Sequence, residues 1–343
     1  MKAVVLEGKR NMIVSEIPTP EPDGHNVIIK VNKCGICGSD AHFYYESGDR
    51  FQGMILGHEY SGTVMDPGCR SDLKAGDRVF TIVTGCGQCD LCKAGLMNLC
   101  KKLDTSGYLG YGAYAEYKVA WPEYVFKLPD EISFTEAAMF EPLAVAVHAV
   151  KQFNVKFCSK VLVFGRGIIG AACAVIARKS GASFVALVET NMARAQDALD
   201  RGECDVIFNA RDKDLVAKLK AANGGRGYDV ICECSGDPST LTTALRTIYP
   251  GGTIGIVGVA TETAPAPLSL AVFGDIRIQG SYAYTKADLL DSLEAVQRKM
   301  IDLTHYANEF YSLEQTPQVF TDLAHNKIKD VKAIIDVAGT GRE

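Results

Sequence analysis

The sequence lacks a concentrated positive charge. Its 36 Lys and Arg residues are outnumbered by 41 Asp and Glu residues, which gives a formal net charge of −5 with no basic block. Proteins that bind nucleic acid or an anionic membrane surface carry a basic patch or stripe. We therefore expect neither nucleic acid nor a membrane as a partner.

Long apolar runs are absent as well. The runs at 144–150 and 161–164 are too short to cross a bilayer, which takes about 20 apolar residues. The N-terminal segment MKAVVLEGKR lacks the apolar core of a secretory signal peptide. Twelve cysteines without such a signal indicate a reducing compartment in which clustered thiols bind metal. We expect a cytoplasmic protein.

The pattern of apolar residues divides the chain. Up to about residue 125, short apolar segments separated by Gly, Asp and Pro turns predict a β-rich region. From residue 143, apolar strands alternate with helical segments, which is typical of a parallel sheet covered on both faces. We predict an α/β protein with a first domain at 1–142 and a doubly wound nucleotide-binding domain at 143–281. The remainder, 282–343, is expected to return to the first domain.

Four cysteines share one short loop in the spacing C-x2-C-x2-C-x7-C. They are Cys86, Cys89, Cys92 and Cys100. Short spacers let the thiolates turn towards a common centre, as a tetrahedral zinc site requires, and four thiolates leave no open coordination position. The spacing therefore favours a structural zinc site. Disulfides and a chance cluster of buried cysteines are the alternatives.

A second set of metal-binding residue types lies upstream, in the segments GICGSDAH and GHE. The first contains Cys37, and the second contains His58 and Glu59. Cysteine, histidine and carboxylate on glycine-flanked turns are the ligands of a catalytic zinc site with an open position. The segments therefore predict a second zinc site.

The segment GRGIIG lies between an apolar strand and an alanine-rich helix, the context in which G-x-G-x-x-G binds a dinucleotide. The predicted cofactor contacts in this turn are Gly165, Gly167, Ile168, Ile169 and Gly170. Glu189, which ends the next strand, is predicted to accept from both ribose hydroxyls of the adenosine. Its charge would repel a 2′-phosphate, so we expect NAD rather than NADP. Arg194 leaves alternatives open, since it either meets a 2′-phosphate, stacks on adenine or is a solvated helix residue.

Taken together, these motifs resemble those of the zinc-dependent medium-chain dehydrogenases, the alcohol and polyol dehydrogenase family. The resemblance extends over nearly the whole chain and rests on GICGSDAH, LGHEYSGTV, GDRV, the four-cysteine loop, GAYAEY, EPLAVAVHAV, GRGIIG, ECSG and GGTIGIVG, in that order. It implies a GroES-like catalytic domain beside a Rossmann domain. Glu141 in EPLAVAVHAV indicates the sorbitol and butanediol dehydrogenase-like branch.

The resemblance also implies roles for individual residues. Oxidation of a secondary alcohol removes a proton from oxygen and a hydride from carbon, and an open-site zinc ion stabilises the resulting alkoxide. Cys37 and His58 would be zinc ligands. Glu141 would ligate the zinc or hold the zinc-bound water. Glu59 would then either exchange into the ligand set or stay outside it. Ser39 would pass the substrate proton through the cofactor ribose to His42; the alternatives are a turn-capping serine and an exposed loop histidine.

Val257 in GGTIGIVG and Tyr282 in GSYAY complete the predicted cofactor contacts. Ala283 stands where the polyol branch often has an arginine, so polyols, sugars and vicinal diols all stay open as substrates. L-threonine 3-dehydrogenase and a non-catalytic zinc-stabilised dinucleotide-binding protein are the alternatives. A zinc-ribbon nucleic-acid binder conflicts with the acidic composition and the cysteine spacing. The resemblance further implies a homodimer or homotetramer.

Overall fold

The fold is known from a computed structural model that describes residues 1–46, 51–83, 85–103, 111–260, 262–324, 327–328 and 330–342. The chain divides into two compact units, Met1–Glu141 with Asp302–Glu343, and Pro142–Ile301. The sequence analysis placed the return to the first domain at residue 282. In the structure it lies at Asp302, because the helix that follows residue 282 is bonded to the second unit: its Asp288 is hydrogen-bonded to His148 and Lys151.

Strands predominate up to Lys127, and from Lys160 to Gln297 strands and helices alternate, as the sequence pattern indicates. In chain order, the strands are β1 (Lys2–Gly8), β2 (Asn11–Glu16), β3 (Val27–Gly35), β4 (Met54–Ile55), β5 (Glu59–Asp66), β6 (Arg78–Thr81), β7 (Tyr117–Ala120), β8 (Val125–Lys127), β9 (Lys160–Phe164), β10 (Phe184–Glu189), β11 (Val206–Asn209), β12 (Tyr228–Glu233), β13 (Ile248–Ile256), β14 (Arg277–Gly280), β15 (Phe310–Tyr311) and β16 (Ile334–Asp336). The helices are α1 (Gly38–Glu46), α2 (Asp90–Lys93), α3 (Phe134–Ala137), α4 (Phe140–Phe153), α5 (Ile168–Lys179), α6 (Met192–Asp200), α7 (Leu215–Ala221), α8 (Thr240–Thr247), α9 (Ser269–Gly274), α10 (Lys286–Gln297) and α11 (Thr316–Ala324).

The first unit is β-rich. Its larger sheet has the order β15-β16-β3-β5-β6-β8, with β7 also paired to β3, and β2-β1-β4 form a smaller sheet. Strand β16 pairs antiparallel with β3, where Ile335 lies opposite Cys34. Both residues are fully buried in one apolar core that the two ends of the chain share. The C-terminal segment therefore completes this unit.

The second unit is a six-stranded parallel sheet in the order β11-β10-β9-β12-β13-β14. The strand order reverses between β9 and β12, and ligands of doubly wound sheets bind outside the carboxyl ends of the strands at such a switch point. Val161–Phe164 of β9 is wholly buried, as continuous apolar strands in a covered parallel sheet should be. The predicted α/β class and its parallel nucleotide-binding sheet are confirmed. Among the described helices, none has the length and apolar content that a membrane span needs.

Candidate functional site

Three candidate ligands meet where strands β3 and β5 are paired. Cys37 follows β3 and precedes α1, and His58 directly precedes Glu59, the first residue of β5. Antiparallel register places Gly35 opposite Glu59, which brings the end of β3 to the start of β5. One ligand atom from each of Cys37, His58 and Glu59 lies within 4.8 Å of the other two.

The cluster contains buried polar atoms that make no hydrogen bond. His58 and Glu59 are 6% and 1% exposed, and neither His58 Nδ1 nor Glu59 Oε1 makes a hydrogen bond. Burial of unpartnered polar atoms is unfavourable, and a bound cation offers such atoms a partner. Thiolate sulfur, imidazole nitrogen and carboxylate oxygen are also the donor set that zinc takes in proteins. The residues present therefore fit a zinc ion.

Asp40 lies behind this cluster and is buried. It accepts hydrogen bonds from the Tyr114 hydroxyl at 2.7 Å and from the Cys37 backbone N–H at 3.1 Å. Its Oδ1 is 3.5 Å from His58 Nδ1. Burial by itself would lower the pKa of His58, but attraction to Asp40 and Cys37 outweighs it and raises that pKa well above its ordinary value. Such a carboxylate fixes the orientation of a ligand histidine.

Lys332 also reaches the cluster, and the sequence analysis missed it. Its Nζ forms an ion pair with Glu59 Oε2 and donates to the Ile36 carbonyl at 2.8 Å. A Cβ on Gly35 would overlap Glu59 Oε2 and lie 2.7 Å from Lys332 Cε, so a side chain at position 35 would displace the pair. The available signal was a lysine beside an apolar C-terminal strand, which does not by itself identify a partner.

Glu141 lies in the first turn of α4 and is 6% exposed. It does not belong to the group whose ligand atoms lie within 4.8 Å of one another among the described residues. Burial raises the pKa of Glu141 to about 7; Glu59 also raises it, whereas His58 and Lys332 lower it. These interactions place Glu141 beside the three clustered ligands, where its charge and that of Glu59 repel each other.

Ser39 and His42 lie in helix α1, not in an exposed loop. The helix begins at Gly38, so Ser39 is in its first turn and His42 is three residues further along. Residues at this spacing share one face of a helix. Both side chains are half-buried. The helix disagrees with the exposed-loop alternative for His42, whereas the turn-capping alternative for Ser39 stays open.

The four-cysteine loop (the lobe) also brings its sulfurs together. The sulfurs of Cys86, Cys89, Cys92 and Cys100 all lie within 4.8 Å of one another, and every cysteine of the chain is free. The free thiols disagree with the disulfide alternative. Backbone N–H groups of Gln88 and Cys89 lower the pKa of Cys86 to about 6, which favours the thiolate that binds metal. Four thiols at this spacing fit a closed zinc site.

The glycine-rich turn has the shape that a dinucleotide needs. Gly165 has φ +85°, which L side chains rarely adopt, and a Cβ on Gly170 would overlap the Gly165 carbonyl oxygen. A Cβ on Gly167 would have no neighbour within 4 Å, so open space lies over the turn. Gly167 also caps α5 without a side-chain hydrogen bond. The N–H groups in the first turn of α5 can therefore donate to a pyrophosphate, and the glycine-rich turn fits the cofactor.

The other predicted cofactor residues lie at the carboxyl edge of the same sheet. Glu189 ends β10, Val257 follows β13 and Tyr282 follows β14. Glu189 is buried, and Tyr282 is 53% exposed. Arg194 is half-buried in the first turns of α6, whose N-cap is Asn191. This edge is the ligand-binding edge of a doubly wound sheet.

Two family models match the chain. Residues 23–130 match the alcohol dehydrogenase GroES-like domain, and residues 169–298 match the zinc-binding dehydrogenase model. The sorbitol dehydrogenase of Bacillus subtilis is 31% identical over 345 residues, which cover 98% of this chain and 97% of that protein. D-xylulose reductase A of Aspergillus oryzae is 33% identical over 347 residues, with 97% and 96% covered.

Solved structures agree with this result. The 2R,3R-butanediol dehydrogenase of Bacillus subtilis has a TM-score of 0.86 at 27% identity, with 98% of this chain and 99% of that chain covered. A zinc-binding dehydrogenase of Sinorhizobium meliloti 1021 bound to NADP has a TM-score of 0.87 at 28% identity, with the same coverage. These similarities extend through both units of the chain.

Proposed function

We propose that this chain, which belongs to the zinc-dependent medium-chain dehydrogenase/reductase family, is an NAD- and zinc-dependent dehydrogenase of polyols, sugars or vicinal diols. The reaction converts a secondary alcohol and NAD⁺ to a ketone, NADH and a proton. The observation that carries the proposal is the cluster of Cys37, His58 and Glu59, in which one ligand atom from each residue lies within 4.8 Å of the other two.

In this proposal Cys37 and His58 hold the ion, and Glu59 competes with Glu141 for the remaining protein position. When bound, zinc supplies Lewis-acid stabilisation of the negative charge that develops on the substrate oxygen. The ion pair with Lys332 offsets the charge of Glu59. That pairing supports Glu141 as the residue that ligates the zinc or holds the zinc-bound water. Glu59 would then exchange into the ligand set.

Proton removal is assigned to helix α1. Ser39 follows the ligand Cys37 by two positions, so its hydroxyl is a candidate to receive the proton of the substrate alcohol. His42, on the same helical face, would pass that proton to solvent. An imidazole suits this task, because one ring nitrogen can accept a proton while the other donates one.

For the cofactor we propose NAD. The carboxylate of Glu189 at the end of β10 would repel the 2′-phosphate of NADP and accept from a ribose hydroxyl. Because the Sinorhizobium meliloti relative was solved with NADP, Arg194 is the residue to test if NADP is preferred. The four-cysteine lobe is proposed to hold a second, purely structural zinc.

We further propose that a second copy of the chain covers the outer edge of the parallel sheet. Strand β14 ends the sheet and is mostly exposed, and an edge strand presents unpaired backbone groups. Just before this strand in the chain, Val272 and Phe273 of α9 are 78% and 86% exposed. Light scattering should give a dimer or tetramer, and Phe273→Lys should shift it towards monomer. A monomeric wild-type protein would refute this assignment.

The central experiment combines metal analysis with NAD⁺ reduction across vicinal diols, polyols, sugars, inositols and threonine. We expect two zinc ions per chain and turnover of at least one diol, polyol or sugar. Turnover of threonine alone would favour L-threonine 3-dehydrogenase. Dinucleotide binding with one zinc and no turnover would favour a non-catalytic binding protein.

A further inference from the structure

Arg166, the second residue of the glycine-rich turn, is unusual in being buried. Only 1% of it is exposed, and it is among the largest fully buried side chains of the described chain. Its Nε donates to Glu203 Oε2 at 2.9 Å and its Nη2 to Glu203 Oε1 at 2.8 Å. Nη2 also donates to Asp197 of α6 at 2.8 Å. The guanidinium thus joins the turn after β9 to the carboxyl-terminal end of α6.

The backbone of the same residue contacts the predicted ribose-binding carboxylate. The Arg166 N–H donates to Glu189 Oε2 at 2.6 Å. Glu189 Oε1 instead accepts from the Thr190 N–H, the Thr190 hydroxyl and the Asn191 N–H, at 2.7, 3.0 and 2.8 Å. A carboxylate oxygen has about two lone-pair sites. Oε1 is therefore saturated, and Oε2 is the oxygen that can accept a ribose hydroxyl.

These contacts connect the side chain to the carboxylate. The bidentate pair with Glu203 fixes the Arg166 side chain and therefore the turn that carries it. The Arg166 N–H of that turn then fixes the direction of Glu189 Oε2. Bidentate arginine–carboxylate pairs give geometric specificity that a lysine cannot reproduce. The sequence analysis expects Glu189 to accept from both ribose hydroxyls, whereas these hydrogen bonds hold the carboxylate from both sides and leave only Oε2 able to accept one.

We propose that Arg166 is a cofactor-positioning residue, which fixes the glycine-rich turn so that Glu189 Oε2 meets a ribose hydroxyl of the adenosine half. The inference rests on the proposed dinucleotide binding. The buried pair acts through the turn, so Arg166 itself need not touch the cofactor.

The test uses the zinc-loaded full-length protein and two variants of Arg166, with variants at Arg201 and Glu189 for comparison. Arg166→Lys keeps the charge but loses the bidentate geometry. The double variant Arg166→Met/Glu203→Met removes both charges, so neither is left buried and unpaired. Arg201→Ala is the matched control, because Arg201 bonds the same Asp197 at 2.8 Å but is exposed at the end of α6. Calorimetric titration gives the Kd of NAD⁺, ADP-ribose and nicotinamide mononucleotide, and steady-state kinetics give KM and kcat.

Both Arg166 variants should raise the Kd of NAD⁺ and of ADP-ribose about tenfold, a difference well within calorimetric resolution. The affinity for nicotinamide mononucleotide and the kcat at saturating NAD⁺ should stay within about twofold of wild type. Arg201→Ala should match wild type throughout. Glu189→Gln should weaken NAD⁺ binding in the wild-type background but add little to Arg166→Lys, because the two residues act as one unit.

Two results would overturn the inference in distinguishable ways. If Arg166→Lys lowers only the melting temperature and leaves the Kd of ADP-ribose unchanged, or if its effect adds to that of Glu189→Gln, Arg166 is merely structural while the proposed function stands. If the wild-type protein binds no dinucleotide at all, the proposed function fails and this inference fails with it.

Discussion

The Nζ of Lys332 forms an ion pair with Oε2 of Glu59, and both side chains are almost fully buried, at 2% and 1% exposed. The pair joins the C-terminal segment to the first residue of β5, directly beside the candidate ligands Cys37 and His58. One of the two carboxylates that compete for the metal therefore already has a counter-charge. This arrangement leads to the first two predictions.

Replacement of Lys332 by methionine should destabilise the metal-free protein by about 3–5 kcal/mol, because it leaves the Glu59 carboxylate buried without a counter-charge. Zinc should recover part of that loss, because the ion then neutralises Glu59. Urea unfolding with and without zinc measures both effects. Lys33→Met is the control: Lys33 and Asp336 form a buried pair at 2.8 Å elsewhere in the same unit, so its effect should not depend on zinc. Equal zinc dependence in both variants would contradict this account.

The two carboxylates should differ in their effect on metal affinity. We expect Glu141→Ala to weaken zinc binding at the catalytic site by about 10–100-fold. Glu59→Ala should weaken it less, because Lys332 already offsets the charge of Glu59. Competition with a chelator, followed by metal analysis, compares the two variants. A larger loss for Glu59→Ala would assign the ligand role to Glu59.

Cysteine replacement in the lobe should remove one zinc without removing the other. Cys100 is buried, and its sulfur accepts from the Cys86 N–H at 3.4 Å and from the Lys102 N–H at 3.3 Å. Cys100→Ser should lower the zinc content from two to one per chain and destabilise the protein, because a structural zinc contributes folding free energy. Cys69→Ser, at an exposed free cysteine, should keep both ions. Two zinc ions in Cys100→Ser would disprove the four-thiolate site.

Removal of the Ser39 hydroxyl should slow turnover. If Ser39 receives the substrate proton, Ser39→Ala should lower kcat about 100-fold, within the range for positioned acid–base groups. Zinc content and the Kd of NAD⁺ should stay at their wild-type values, since Ser39 is not assigned as a ligand of either. Steady-state kinetics with parallel metal analysis make the measurement. Unchanged kcat would remove Ser39 from the mechanism.

Asp288 of α10 should make stability depend on pH in the acid range. Burial alone would raise its pKa, but hydrogen bonds from His148, Lys151 and Thr285 outweigh burial and hold it below the ordinary value of 3.8. The ionised carboxylate therefore stabilises the fold above about pH 4, and this contribution is lost as the pH falls below that value.

Asp288→Asn should accordingly be less stable than wild type at pH 7, and the difference in unfolding free energy should shrink below pH 4. Asp291→Asn is the matched control, because Asp291 pairs with the same Lys151 but is 55% exposed. Its effect should stay below about 1 kcal/mol, as for other exposed pairs. Urea midpoints between pH 3 and pH 7 measure both variants. A constant difference for Asp288→Asn across this range would contradict the assignment.

The sequence by itself determined the α/β class, the glycine-rich turn and the two sets of metal-binding residues. These features depend on local chemistry: apolar periodicity sets the type of each element, and closely spaced cysteines converge within a single loop. Glu189 could be located for the same reason, because the end of the second strand in such a unit has a fixed relation to the turn.

Only the tertiary structure decided the partners that come from distant parts of the chain. Lys332 meets Glu59 because β16 pairs with β3 and β3 pairs with β5, and no local pattern specifies that meeting. In the sequence, Arg166 is indistinguishable from an ordinary polar turn residue. Only the folded structure shows it buried against Glu203. A side chain's charge is visible in the sequence, but the counter-charge and the burial that determine its role arise only when remote segments pack together.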